Sequence, residues 1–94
     1  MADYVFEVFV AGASERSRKA VSVLTDVCER ELPGRYHISV IDVLEYPERA
    51  EHSRVFATPT VIKLTPPPGR RIIGDLTQSD KIRVGLDLRP AESA

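Results

Sequence analysis

The spacing of apolar positions changes repeatedly along the chain, and each change marks an element. Tyr4-Val5-Phe6-Glu7-Val8-Phe9-Val10 is a nearly unbroken aromatic and β-branched run that stops at Ala11-Gly12, which predicts a mostly buried strand. From Ser14 the spacing widens. Ala20, Val21, Val23, Leu24, Val27, Cys28 and Leu32 fall on one half of a helical wheel, Ser14 suits the N-cap, and Pro33-Gly34 closes the run. Glu15 to Lys19 and Asp26 to Arg30 are acid-before-base pairs four apart on the wet side, each adding a few tenths of a kcal/mol. His37 to Val43 predicts a second strand. A helix between two strands makes a β-α-β unit, with parallel strands and a right-handed crossover.

The second half is less regular. Pro47-Glu48 suits a first helical turn, and Tyr46, Ala50, Ser53 and Ala57 follow helical spacing with a small, weakly apolar face. Thr60 to Leu64 and Arg71 to Gly74 predict short strands of a hairpin around the stiff link Thr65-Pro66-Pro67-Pro68-Gly69. Thr77 is placed to cap a last helix. In the segment that follows, however, Ile82, Val84, Leu86 and Leu88 alternate strictly with Arg83, Gly85 and Asp87. Alternation is a strand signal. As a helix the segment would set Ile82 and Leu86 on one side with Val84 and Leu88 nearly opposite, needing cover on both sides. The segment is read either as a covered helix or as one able to be helix or strand.

Composition narrows the possible functions. Ninety-four residues, 43% of them hydrophobic, suit one domain over 1–94, with an ordered core at 4–88 and a tail at 89–94. Thirteen basic and fourteen acidic residues give a net charge of −1, so no global field recruits nucleic acid or an anionic membrane. The sequence has no apolar run of transmembrane length, and its first residues do not read as a signal peptide, so a cytosolic protein is expected. One cysteine and two histidines make neither an internal disulfide nor a cluster at metal-ligand spacing, so no metal or cofactor is expected.

Candidate chemistry is sparse. Phe56-Ala57-Thr58-Pro59-Thr60 resembles the proline turn that faces the active site of thioredoxin-like proteins. The facing helix start, Ser14-Glu15-Arg16-Ser17, has serines at the spacing of a redox cysteine pair, and a hydroxyl cannot exchange disulfides. Cys28 lies in the apolar arc of the helix and reads as an inert core thiol. Asp42, at a strand end, reads as an acceptor for loop amides, and both histidines read as surface residues. Lys63, Arg70 and Arg71 flank the proline link, with Arg54 near in sequence, and form either a solvated rim or a partner-binding edge.

The segments "FVAG", "VIDVLEYPERAE", "ATPTVIKLTPPPGRRIIGDL" and "KIRVGLDL", in this order from Tyr4 to Leu88, resemble the KaiB family of circadian clock proteins. The resemblance implies a non-catalytic regulatory protein that binds a KaiC-type ATPase ring, helps to sequester KaiA and competes with a SasA-like kinase. It implies two arrangements: a βαββααβ ground state forming dimers or tetramers, and a monomeric thioredoxin-like α/β state, βαβαββα. It assigns Pro59, Gly85 and Asp87 to the balance between them, and Arg54, Lys63, Arg70 and Arg71 to the KaiC-facing surface. The family's usual Asn and Pro after the first strand are replaced within Ala11 to Ser17, and Pro90 would shorten a final strand. That shortening, with Arg83 and Arg89 beside the apolar row, makes the thioredoxin-like state the expected one. The alternatives are a stress or signalling adaptor on the same fold, and a thioredoxin-like oxidoreductase working through Cys28.

Overall fold

The computed structural model describes residues 3–74 and 76–89; of the expected tail, residues 90–94 lie outside this range. The elements are β1 (Tyr4–Val10), α1 (Glu15–Glu31), β2 (Tyr36–Asp42), α2 (Pro47–His52), β3 (Thr60–Thr65), β4 (Arg70–Ile73) and α3 (Ser79–Gly85). This βαβαββα order is the thioredoxin-like arrangement. The sheet runs β2-β1-β3-β4, with β1 and β2 parallel and both β1–β3 and β3–β4 antiparallel.

Strand alternation sorts the chain into two cores. Phe6, Val8, Val10 and Val61 face α1 and α3, where they meet Ala20, Leu24, Val27, Cys28, Ile82 and Leu86. Phe9, Ile41 and Ile62 face the other way, onto Ala50 of α2. α1 forms as its spacing predicts: the Ser14 hydroxyl accepts the Ser17 N–H, and Leu32 is the C-cap. Neither four-apart pair on α1 closes an ion pair among the described residues.

β2 and β4 each begin and end one residue earlier than expected, β3 runs one residue further, and two helix boundaries also differ. α2 ends at His52, so Ser53 and Ala57 do not extend its face, and α3 begins at Ser79 with Gln78, not Thr77, at the N-cap. Both helices stop in the same way. Arg54 (φ 55°) and Asp87 (φ 53°) take the left-handed conformation just past the ends of α2 and α3. The N–H groups of Arg54 and Val55 donate to the carbonyls of Glu51 and Ala50, and those of Asp87 and Leu88 to the carbonyls of Val84 and Arg83. These are Schellman motifs with a charged residue where glycine is favoured.

The end of α3 also resolves the alternating segment. Ile82 and Leu86 are fully buried and Val84 is 69% exposed, as a helix requires. Leu88 is not on the helix at all. The left-handed turn at Asp87 reverses the chain and returns Leu88 to the same core, where it is 6% exposed.

Candidate functional site

The Thr58-Pro59 bond is cis. Pro59 is buried and, with Glu15, Arg16, Lys19, Ala20, Gly74, Leu76 and Thr77, lines a pocket of about 440 Å³ beside the start of α1. At the two positions suited to a redox pair, the Ser14 and Ser17 hydroxyls lie 2.9 Å apart and hydrogen-bond to each other. They complete the helix start and supply no thiolate. Cys28 is fully buried in the α1 core, and burial pushes its thiol up to about 12. A thiol held protonated in this way is a poor nucleophile. Asp42 does what a strand-end acid commonly does: its Oδ1 accepts the N–H groups of Gly12 (3.0 Å) and Leu44 (2.9 Å). His37 and His52 are exposed. Among the described residues no three His, Cys, Asp or Glu side chains gather as metal ligands.

The four basic residues read from the sequence do not make one patch. Adjacent strand residues point to opposite faces. Register pairs Lys63 with Arg70 on the α3 side, and Arg71 with Ile62 on the α2 side. Arg71 spans the gap to the end of α2, donating to the carbonyls of Ser53 (2.9 Å) and Arg54 (3.1 Å). The fork of one guanidinium thus satisfies carbonyls left open past a helix end. The Arg54 side chain and that of Arg70 are exposed.

Lys63 departs furthest from its expected place at an exposed rim. It is 1% exposed, its Nζ donates to the carbonyl of Asp87 (3.4 Å), and it lies 5.9 Å from the centre of the Tyr4 ring. Burial, more than the neighbouring arginines, pulls its ammonium below the usual lysine range, while Asp87 opposes that shift. Asp87 is held below the usual carboxylate range, first by its hydrogen bond from Arg89 and further by Arg89, Lys63 and Arg70. Of the three positions expected to set the fold balance, Pro59 lies apart, in the pocket beside the start of α1, while Gly85 and Asp87 lie together at the end of α3. There Asp87 takes a left-handed turn whose carbonyl Lys63 holds, and Gly85 sits against Ile72 of β4. Sequence reasoning missed Tyr4 as the partner of this segment. Its ring reads as ordinary strand apolarity, and no local pattern points to a residue at the other end of the chain.

The KaiB domain family matches residues 7–88. The chain is 46% identical to the circadian clock oscillator protein KaiB of Prochlorococcus marinus (strain MIT 9312), over 90% of this chain and 81% of that protein. It is 47% identical to KaiB of Thermostichus vulcanus, over 90% and 79%. It is 42% identical to the circadian clock protein KaiB3 of Synechocystis sp., over 92% and 84%. Solved structures similar in fold include the N-terminal domain of SasA from Synechococcus elongatus (TM-score 0.75, 21% identity, 98% of this chain and 90% of that one). Mitochondrial thioredoxin 3 of Saccharomyces cerevisiae is another (TM-score 0.71, 20% identity, 93% and 79%).

Proposed function

The chain belongs to the KaiB family, and from that premise we propose that it is a non-catalytic clock regulator that binds a KaiC-type ATPase ring. Its binding edge is β4, and its binding-competent state is the thioredoxin-like arrangement. A KaiA-type protein and a SasA-like kinase are the further partners that this role implies, the kinase as a competitor for the ring. The monomer binds, and a dimer or tetramer stores the ground-state arrangement.

The observation that carries the reading is the segment Ile82 to Leu88. It has the apolar alternation of a strand, yet it ends α3 through a left-handed Asp87. A chain whose local pattern and tertiary placement disagree at one element is suited to a second arrangement of that element. The paired hydroxyls of Ser14 and Ser17 support binding over thiol exchange on this frame.

The test is size-exclusion co-elution with a KaiC-type ring from the same source, together with a backbone NMR profile of residues 47–88. Co-elution is expected in at least one nucleotide or phosphorylation state, preceded by a slow conformational step if only a fraction of molecules is competent. Arg70→Glu is the clean charge reversal, because Arg70 is exposed whereas Arg71 also braces the end of α2. It should abolish co-elution and leave the fold intact, since exposed charges contribute little to stability but oppose an acidic partner strongly. Absence of co-elution in every state would remove the clock assignment.

A further inference from the structure

The side of the sheet that carries α2 is only partly covered. α2 has six residues and packs over Phe9, Ile41 and Ile62, short of the outer strand. Beyond it, Ile73 is 58% exposed and Phe56 is 89% exposed. Strand parity puts Ile73 on the same side as Arg71, opposite Thr60 and Ile62 respectively. The backbone on either side of Phe56 is tied to the sheet near them. Arg71 holds the carbonyls of Ser53 and Arg54, and the Thr60 hydroxyl donates to the carbonyl of Ala57 (2.6 Å). Two exposed apolar residues and the arginines Arg54 and Arg71 thus lie on segments tied together at one end of the sheet, next to a strand with its outer edge open.

We propose that this surface docks an extended acidic segment of the protein partner, which adds a strand to β4 while an apolar side chain seats between Phe56 and Ile73. The proposal rests on the ring-binding reading above and names what that edge recognises. β4 carries no proline, so its outer N–H and C=O groups are able to pair with an added strand. None of Arg54, Arg70 and Arg71 has a carboxylate partner among the described residues, and Glu51, one turn back on α2, pairs with neither Arg54 nor Arg71. The chain as a whole carries a net charge of −1, so this cationic edge is local and selects for carboxylates. An exposed aromatic flanked by arginines has the composition of an interface anchor. A second copy of the chain does not fit. Edge-to-edge pairing of two β4 strands would gather two copies of Arg70 and Arg71 in one interface, with no carboxylate on either strand to offset them.

The experiment measures affinity for the KaiC-type ring with wild type, Phe56→Ala, Ile73→Thr and Arg54→Glu, and hydrogen exchange of the residue 70–73 amides with and without the ring. Val40→Thr, exposed on β2 at the opposite edge of the sheet, is the control. Each of the three surface variants should keep the wild-type circular dichroism spectrum and bind about tenfold more weakly or worse, mainly through faster dissociation. The outward amides of β4 should gain protection in the complex, and Val40→Thr should bind as wild type. If wild type binds while Phe56→Ala and Ile73→Thr match it within about twofold, or β4 gains no protection, the inference is overturned and the ring-binding reading stands. If wild type does not bind the ring, that reading fails and the inference falls with it.

Discussion

The phenol of Tyr4, at the first residue of β1, exchanges two hydrogen bonds with the backbone of Arg89, 85 residues later: it donates to the Arg89 carbonyl (3.2 Å) and accepts the Arg89 N–H (3.0 Å). This contact fastens the chain just past α3 to the opening strand. Tyr4→Phe keeps the buried ring and removes both bonds, so it should cost about 1–2 kcal/mol at roughly 1 kcal/mol for each bond. Hydrogen exchange should show the loss concentrated at residues 82–89, with the α1 amides opening at nearly the wild-type free energy. Uniform loss across the domain would contradict a local clasp.

Gly85 is held between two opposed effects. Alanine would favour the helix by about 1 kcal/mol, but its Cβ would lie 2.9 Å from Cδ1 and 3.1 Å from Cγ1 of Ile72. Gly85→Ala alone should therefore stabilise α3 by less than the helix preference. Combining it with Ile72→Val, which removes Cδ1, should recover the difference as a coupling of roughly 0.5–1 kcal/mol in a double-mutant cycle. Strict additivity in urea unfolding would show that Ile72 does not oppose the new methyl.

Acid should loosen the end of α3. Arg89, chiefly through its hydrogen bond, with Lys63 and Arg70 lowers the Asp87 carboxyl below its ordinary value. A depressed acid contributes stability above its unfolded value, near about 4, and that contribution is lost as pH falls through the depressed folded value. Wild-type melting temperature should decline over this acid window. Asp87→Asn, which tolerates the left-handed turn but carries no charge, should flatten that decline. Equal acid sensitivity in both proteins would remove Asp87 from the account.

At the alkaline end Cys28 works with the opposite sign. Its folded value is raised to about 12, so the stability it contributes is complete below about 9 and is lost as pH rises from there to about 12. Tyr36 adds to the fall over the upper part of this range, its phenol raised to about 12 mainly by its hydrogen bond to Glu29. Lys63, lowered by burial, acts against both. Cys28→Ala should make the alkaline loss shallower, and wild-type Cys28 should react with a thiol reagent only at the rate of unfolding. Fast labelling of the native protein, or disulfide reduction that disappears in Cys28→Ala, would contradict the inert-thiol reading.

Local periodicity was enough to determine β1, α1 and β2, because each has a face that only one backbone period can bury; the hairpin was read from its proline link, since no residue of β4 is fully buried. The split between Arg70 and Arg71 was missed, because the strand was expected to begin at Arg71 and β4 begins at Arg70, which makes the two neighbours on one strand diverge. The turn at Pro59 and the cap at Ser14 were readable for a local reason: restricted backbone and short polar side chains act within a few residues. The tertiary structure alone decided the fates of Lys63, Val84, Leu88 and Phe56. Lys63 is buried because Tyr4 and Asp87, from the two ends of the chain, close over it. Val84 and Leu88 occupy equivalent places in the alternating pattern, yet one is in solvent and the other in the core, separated by a left-handed turn. Phe56 is exposed because α2 stops short of β4, a matter of helix length and placement and not of its neighbours in sequence. Burial is a property of what the whole chain brings to a point, and side-chain pattern records only what each segment offers.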